Sequence, residues 1–512
     1  MRRPLLMAID LGTSFIKSGV YGEDGVPVAQ SSCPVRDERP APGVFIQPGE
    51  ALFESVIRTI RDAVQQLGER AGSVAAIAFT GQMAGCMGVS KDWEDLTTWS
   101  CSLDSRYMPY AYRQMESLKD RFLEISGTNF PQMAPKAAWM RGEFPEQAQR
   151  TEKYLMISGY VIGRLSRMPV AEAVLDRSYA SWTGLADIRR DAWCPEILGA
   201  VGLEERLLPR IVNCNEVCAA LSDEMARETG LPSGIPLVAG AGDKVAGCLG
   251  AGVVTPGEMI LEASSYGEIS CCVDEYRPDM EERRYDVLAS AVPGQFFVTH
   301  FAAGSGIALD WFVNNFARQP GDVDTAAGHR RMDALAQEIP AGCEGLMGIG
   351  LLCGSSMPSD AAIKGMFMGF DLSHGAGHFY RALLESYAYD FAIVTERFKR
   401  FYPEYALDRV KLIGGGAKSA TWPQMFADVD GRTYATLNRN DFAMWGACIL
   451  AGNAIGLYGD LAETAKRFVA ERAAFQPNAS LRGAYDRRKR LYKAYLTELR
   501  GFYERIARID EQ

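Results

Sequence analysis

Histidine is scarce in this 512-residue chain: there are four, and none falls at a zinc-binding spacing with cysteine. The twelve cysteines are scattered from Cys33 to Cys448 without a CxxC pair, which excludes a disulfide framework and a thioredoxin-like motif. They read as reduced, mostly buried thiols of a cytosolic protein. A basic excess is also missing. With 54 Lys+Arg against 64 Asp+Glu the formal net charge is −10, which argues against nucleic acid or an anionic membrane as the main partner. The uncharged stretch Val292–Leu309 contains Gln295, Thr299, His300, Ser305 and several glycines, and makes a poor membrane span. Met1-Arg2-Arg3 before Leu5–Ile9 begins like a secretory leader, but Asp10 cuts the apolar run short. Two phosphate-binding signatures fail as well. Lys418 follows Ala417 where a P-loop requires glycine, and no G-x-G-x-x-G follows a strand.

What remains is ordinary globular material, 47% hydrophobic and 23% charged, long enough for two or three domains. Leu5–Ile9, Ile16–Tyr21 and Val26–Gln30 read as strands, with turn residues Tyr21-Gly-Glu-Asp-Gly25 between the last two. Leu52, Phe53, Val56, Ile57, Ile60, Ala63, Val64 and Leu67 then repeat with helical periodicity until Gly68, and Val74–Phe79 returns as a buried strand. The second half opens alike. Gly257–Ala263, Ile269–Val273, Val287–Val292 and Phe296–Phe301 read as strands, a helix covers Gly377–Phe401, and Val410–Ile413 runs into Gly414-Gly-Gly-Ala-Lys-Ser419. Two halves with the same βββαβ opening imply a duplicated α/β domain with a cleft between the copies. The division falls at Val253–Gly257, giving 1–252 and 253–512, and the charged tail from about residue 460 reads as solvated helix.

Three segments carry candidate chemistry. Asp10-Leu-Gly-Thr-Ser14 joins two strands; it reads either as a hairpin turn capped by Asp10 or as backbone N–H groups for phosphate with a carboxylate for a divalent cation. Val238-Ala-Gly-Ala-Gly-Asp-Lys244 delivers Asp243 into a glycine-lined bend, either as a helix cap or as a base for an attacking hydroxyl. Gly414–Ser419 is a strand-to-helix turn, either plain close packing or a cradle for purine or phosphate. His374 and His378, four apart, read as capping or surface residues, and Cys214 and Cys218 as buried thiols.

In this order and spacing the segments resemble the FGGY family of carbohydrate kinases, within the actin/hexokinase-like ATPase superfamily, over nearly the whole chain. Asp10–Ser14 is similar to the family's first phosphate loop and Thr80-Gly-Gln-Met-Ala-Gly85 to its sugar-contact loop. Trp99 with Leu103-Asp-Ser-Arg106 follows as the tryptophan and D-x-R segment. Ala134-Pro-Lys136 and Ile157–Gly163 resemble further pieces of its N-terminal domain, and Gly240-Ala-Gly-Asp-Lys244 the loop of its catalytic aspartate. Ser264-Ser-Tyr-Gly267 sits where a second phosphate loop is expected. Leu412–Ser419 with Trp422–Asp428 is similar to the adenosine loop and its helix. The likeness within the family is greatest to the xylulose kinases. Three departures stand out: Ala84 where those kinases usually carry histidine, Ser264 where the second loop usually has glycine, and Gly354-Ser-Ser-Met-Pro358 without the charged pair of Gly-Glu-Arg-x-Pro.

The resemblance implies ribonuclease H-like domains and transfer of the γ-phosphoryl group of ATP to a terminal hydroxyl, D-xylulose giving D-xylulose 5-phosphate. It implies Asp243 as base, Asp10 on Mg²⁺, and Gly12, Thr13, Ser14, Ser265 and Gly267 on phosphate. Gly415, Gly416 and Ala417 would line adenosine, and Gln82, Met83, Trp99 and Asp104 would contact sugar. Gluconate, ribulose, glycerol or another polyol stands as the alternative acceptor, and a non-catalytic sugar- or nucleotide-binding member as the alternative class. Homodimers are common in that family; no residue pattern here demands one.

Overall fold

Residues 3–319, 322, 324–360 and 363–510 are described by a computed structural model of the chain. The opening Met1-Arg2 therefore lies outside the described residues.

β1 (Leu5–Leu11), β2 (Phe15–Gly22) and β3 (Pro27–Pro34) form an antiparallel meander, and β4 (Val74–Gly81) lies parallel to β1. Between them α1 (Gly49–Leu67) turns Leu52, Phe53, Val56, Ile57, Ile60, Ala63 and Leu67 inward and packs over β2 and β3. Burying each large apolar side chain of that stripe contributes roughly 1.5–3 kcal/mol. Gly68, at φ +55°, ends the helix. Two further strands, β5 (Val217–Ala220) and β6 (Pro236–Val238), complete a sheet of order β5-β6-β4-β1-β2-β3. Along the chain α2 (Arg177–Thr183) precedes β5, and β6 leads to α3 (Asp243–Gly250).

The second sheet repeats the plan. It contains β7 (Met259–Glu262), β8 (Gly267–Val273), β9 (Asp286–Ala289), β10 (Phe296–Ala302), β11 (Arg409–Ile413), β12 (Thr433–Leu437) and β13 (Glu471–Phe475), in the order β9-β10-β8-β7-β11-β12-β13. Set β7 on β1, β8 on β2, β10 on β3, β11 on β4 and β12 on β6, and both order and direction coincide, with β9 as an added edge. The long α4 (Ala376–Phe401) follows this meander as α1 follows the first. A duplicated α/β fold was the expectation, and this is one.

The tail departs from a purely helical reading. Glu471–Phe475 pairs antiparallel with β12 before α6 (Arg482–Asp510) begins. Its Glu-Arg-Ala-Ala composition favours helix, but the unpaired edge of β12 offers backbone partners that override that preference. Val287–Val292, expected as a strand throughout, leaves the sheet after Ala289, where Ser290 caps a turn through Val292 N–H.

The two sheets are tied together at their backs. α5 (Phe442–Ala454), from the second half, packs on β1 and β4 of the first sheet and crosses α3. A β-carbon at Gly446 would lie 1.9 Å from the Ala246 carbonyl oxygen, and one at Gly250 2.0 Å from that of Phe442, so this crossing needs glycine on both helices. A second tie joins β9 to the first domain, where Asp286 accepts from Asn129 N–H at 2.7 Å and from Trp182 Nε1 at 3.1 Å. Ten of the twelve cysteines are buried and all twelve are free thiols. Among the described residues no helix is long and apolar enough to cross a membrane.

Candidate active site

The first sheet gathers three chain ends on one edge. β1, β4 and β6 are mutually parallel, so Asp10, Gln82-Met83 and Gly240–Asp243 emerge from the same C-terminal edge, where open α/β sheets place ligands. Gln82 N–H bonds to the Leu11 carbonyl at 3.1 Å, stitching the first two loops together. Gly240, at φ +80°, crosses so tightly over Phe79 that a β-carbon would lie 1.7 Å from its carbonyl oxygen. Gly242 donates its N–H to Ser178 Oγ at 2.8 Å, and its Cα faces the Met83 side chain. Asp243 then starts α3, with Oδ1 accepting the Lys244 N–H at 2.7 Å.

Asp243 is reached by solvent yet closely surrounded by protein atoms, as on the floor of a crevice. Burial, and after it the charges of Asp10, Glu262 and Glu268, push its carboxyl up to about 8. Asp10 is also raised, by burial, with Lys17 Nζ at 3.2 Å opposing the rise. Glu262 and Glu268 come from the second sheet, so the two domains present carboxylates to one crevice. Lys244 Nζ sits 2.7 Å from Glu268 Oε1, with both side chains nearly buried.

The second domain offers two loops side by side. Ser264–Gly267 links β7 to β8, and Gly414–Ala417 follows β11, which is parallel to β7. Ala263 N–H bonds to the Ile413 carbonyl at 3.0 Å and Gly416 N–H to the Ala263 carbonyl at 2.8 Å, locking one loop on the other. Ser265 and Gly415 are exposed, and Gly416 and Ala417 partly so. Gly415 has open space where a side chain would be, the nearest atom being the Ala263 carbonyl oxygen at 3.9 Å. Gly267 is instead buried in strand β8, where a β-carbon would press on Ser305 and Phe391. In the first domain Gly12 and Thr13 are partly exposed and Ser14 is exposed.

Around Thr13 and Gln82 the first domain holds unfilled polar atoms. Gln47 Oε1, Thr80 Oγ1, Gln82 Nε2, Trp99 Nε1 and Ser100 Oγ are buried without a hydrogen-bond partner. Several are joined: Gln47 Nε2 donates to the Thr13 carbonyl at 2.9 Å, Thr13 Oγ1 approaches Gln82 Oε1 at 3.4 Å, and Trp99 N–H bonds to the Gln47 carbonyl at 2.9 Å. Each orphan costs about 1–3 kcal/mol unless a hydroxyl-bearing partner arrives. Trp99 lies with its ring against Gly85. Asp104 is fully enclosed, with both oxygens held at 2.8 Å by Arg106, so its carboxylate is already paired.

Among the described residues no three His, Cys, Asp or Glu side chains form a ready-made metal site. The donor chemistry still suits Mg²⁺, which takes one or two carboxylates and completes its shell with phosphate oxygens and water; Asp10 supplies such an oxygen amid excess negative charge. His378 Nδ1 accepts the Gly375 N–H at 3.1 Å, the helix-start role expected of it. Sequence reasoning missed Gln47, Glu262, Glu268 and the role of Lys244. The one available signal was the placing of two glutamates symmetrically about the Ser264–Gly267 turn.

Residues 5–250 match the N-terminal domain of the FGGY family of carbohydrate kinases, and residues 270–455 match its C-terminal domain. The chain belongs to that family. It is 27% identical over 497 residues to a xylulose kinase of Bacillus subtilis (strain 168), covering 96% of each chain. It is 28% identical over 463 residues to a gluconokinase of the same organism, covering 88% of each. The crystal structure of xylulose kinase from Rhodospirillum rubrum superposes with a TM-score of 0.88 at 24% identity, over 98% of this chain and 100% of that one.

Proposed function

We propose that the chain, a carbohydrate kinase by family, uses ATP with Mg²⁺ to phosphorylate the terminal hydroxyl of a ketose, D-xylulose giving D-xylulose 5-phosphate. The observation that carries the reading is Asp243, whose carboxyl feels the charge of Asp10 on its own sheet edge and of Glu262 and Glu268 from the opposite domain. Its carboxyl, pushed up to about 8, is a stronger base than an ordinary aspartate. It takes the proton of the acceptor hydroxyl as that oxygen bonds to the γ-phosphorus and the bond to the departing ADP breaks. Asp10 would hold Mg²⁺, whose chemistry is to neutralise charge on the phosphate oxygens. Gly12, Thr13 and Ser14 receive phosphate from one side and Ser265 from the other, with Gly267 fixing the second loop. Gly415, Gly416 and Ala417 border adenosine, where the missing side chain at 415 leaves room. Gln82, Met83 and Trp99 contact the acceptor, and Asp104 acts through Arg106.

A neutral acceptor is favoured over an aldonate because the cations beside the carboxylates are already engaged: Lys17 by Asp10 and Lys244 by Glu268. The orphaned buried amide, indole and hydroxyl groups suit a polyol instead. Division into domains at 1–252 and 253–512 and a cytosolic location complete the proposal. The test is acceptor-dependent ADP release with Mg-ATP across ketoses, polyols and aldonates. D-xylulose should give the highest kcat/KM; preference for gluconate would overturn the acceptor, and no response to any of them would overturn the enzyme.

A further inference from the structure

We propose that Lys244 is a positioning residue, tying the helix turn that carries Asp243 to the second phosphate loop of the opposite domain through Glu268. The proposal rests on the reading of Asp243 given above. One residue makes both halves of the tie. The Lys244 backbone N–H is bonded to Asp243 Oδ1 at 2.7 Å, and its Nζ lies 2.7 Å from Glu268 Oε1.

The register of the β7–β8 hairpin explains why a cation is needed there. Glu262 and Glu268 are directly opposite each other, on either side of Ser264–Gly267. Like charges so placed oppose the pairing of the strands. Lys244, whose side chain is 4% exposed, supplies the compensating charge from the other domain. Ser270 Oγ, at 3.4 Å from Glu268 Oε1, gives that carboxylate a second donor. A buried ion pair is weak evidence for stability and better evidence for register and orientation. Here the orientation concerned is that of the first turn of α3, since the rest of the helix is already fixed by its glycine crossing with α5. Loss of Lys244 therefore leaves the helix in place and frees Asp243.

The experiment compares Lys244→Met, Lys244→Arg, Glu268→Gln and the swap Lys244→Glu/Glu268→Lys with the full-length wild type. Lys244→Met should lower kcat about 100-fold while KM for acceptor and ATP stays within about threefold, as expected when a reacting group is misaligned rather than lost. Lys244→Arg should retain most of the rate, and the swap should recover about tenfold over Lys244→Met. Hydrogen exchange of the amides of residues 244–247, without substrates, should quicken about tenfold in Lys244→Met. Unchanged exchange, or a kcat that falls only with the folded fraction, overturns the proposal. If Lys244→Met does not fold, the isosteric Glu268→Gln is held to the same kcat, KM and exchange criteria. If the wild type transfers phosphate to no acceptor, the functional reading fails, while the exchange comparison still decides the tie.

Discussion

Asp243 combines chemical use with thermodynamic cost. Its carboxyl titrates near 8 in the fold and near 3.9 in an unfolded chain, so the folded state binds the proton more tightly across that interval. Stability contributed by this site is therefore present at low pH and declines as pH rises from about 4 to about 8. Asp243→Asn, neutral at every pH, should lose about 10²–10⁴ in kcat and yet gain a few degrees in Tm at pH 7–8. A variant that is inactive and also less stable would contradict this account. For the wild type, kcat/KM for the acceptor should rise with pH through a midpoint near 8, and Glu262→Gln, which removes one of the charges raising Asp243, should move that limb downward. Asp10 and Asp243 were legible in the sequence because a glycine lies within two residues of each and an apolar strand run leads up to each. Glu262, Glu268 and Lys244 were not, since what makes them a unit is hairpin register and a contact between domains. Asp104 shows the reverse case: its motif was legible, but only the fold reveals that Arg106 occupies both of its oxygens.

At the level of elements, the meanders, α1 and α4 were readable to within a few residues, because apolar period and turn residues agree there. The short edge strand Glu471–Phe475 was not, since its residues prefer helix and the deciding partner, β12, lies over 30 residues earlier. The return of α5 to the first sheet was equally hidden: its uniformly apolar sequence indicates burial without indicating against what. The α3–α5 crossing makes this contact testable. Gly446→Ala places a methyl against the Ala246 backbone, which cannot yield as a side chain would, and should cost about 1–3 kcal/mol with a lower Tm. Gly459, where an added β-carbon would meet nothing within 4 Å, is the control; Gly459→Ala should stay within about 0.5 kcal/mol of wild type. Equal effects from the two would remove close packing as the reason for glycine at 446.

Taken as a whole, the molecule is two similar domains joined by the α3–α5 crossing and by the anchor at Asp286, with carboxylates of both domains, Asp10, Asp243, Glu262 and Glu268, facing one another. A phosphoryl-transfer enzyme must keep water from competing with the acceptor, and closing two domains over both substrates is one way to do so. The anchor decides how freely the domains part. Asp286 holds buried Asn129 by main chain and side chain and holds the half-buried Trp182 as well, so Asp286→Ala strands several donors and should cost about 2–5 kcal/mol. Burial lifts its carboxyl to about 6, so it is ionised at neutral pH and accepts all of these bonds. The consequence for function is separate from the loss of stability. At a temperature where the variant remains folded, looser domains should admit water, and the ratio of ADP released without acceptor to that released with it should rise several-fold. Were Tm to fall while that ratio stayed at the wild-type value, the anchor would be a fastening only, and control of water would belong to the loops at the mouth of the crevice.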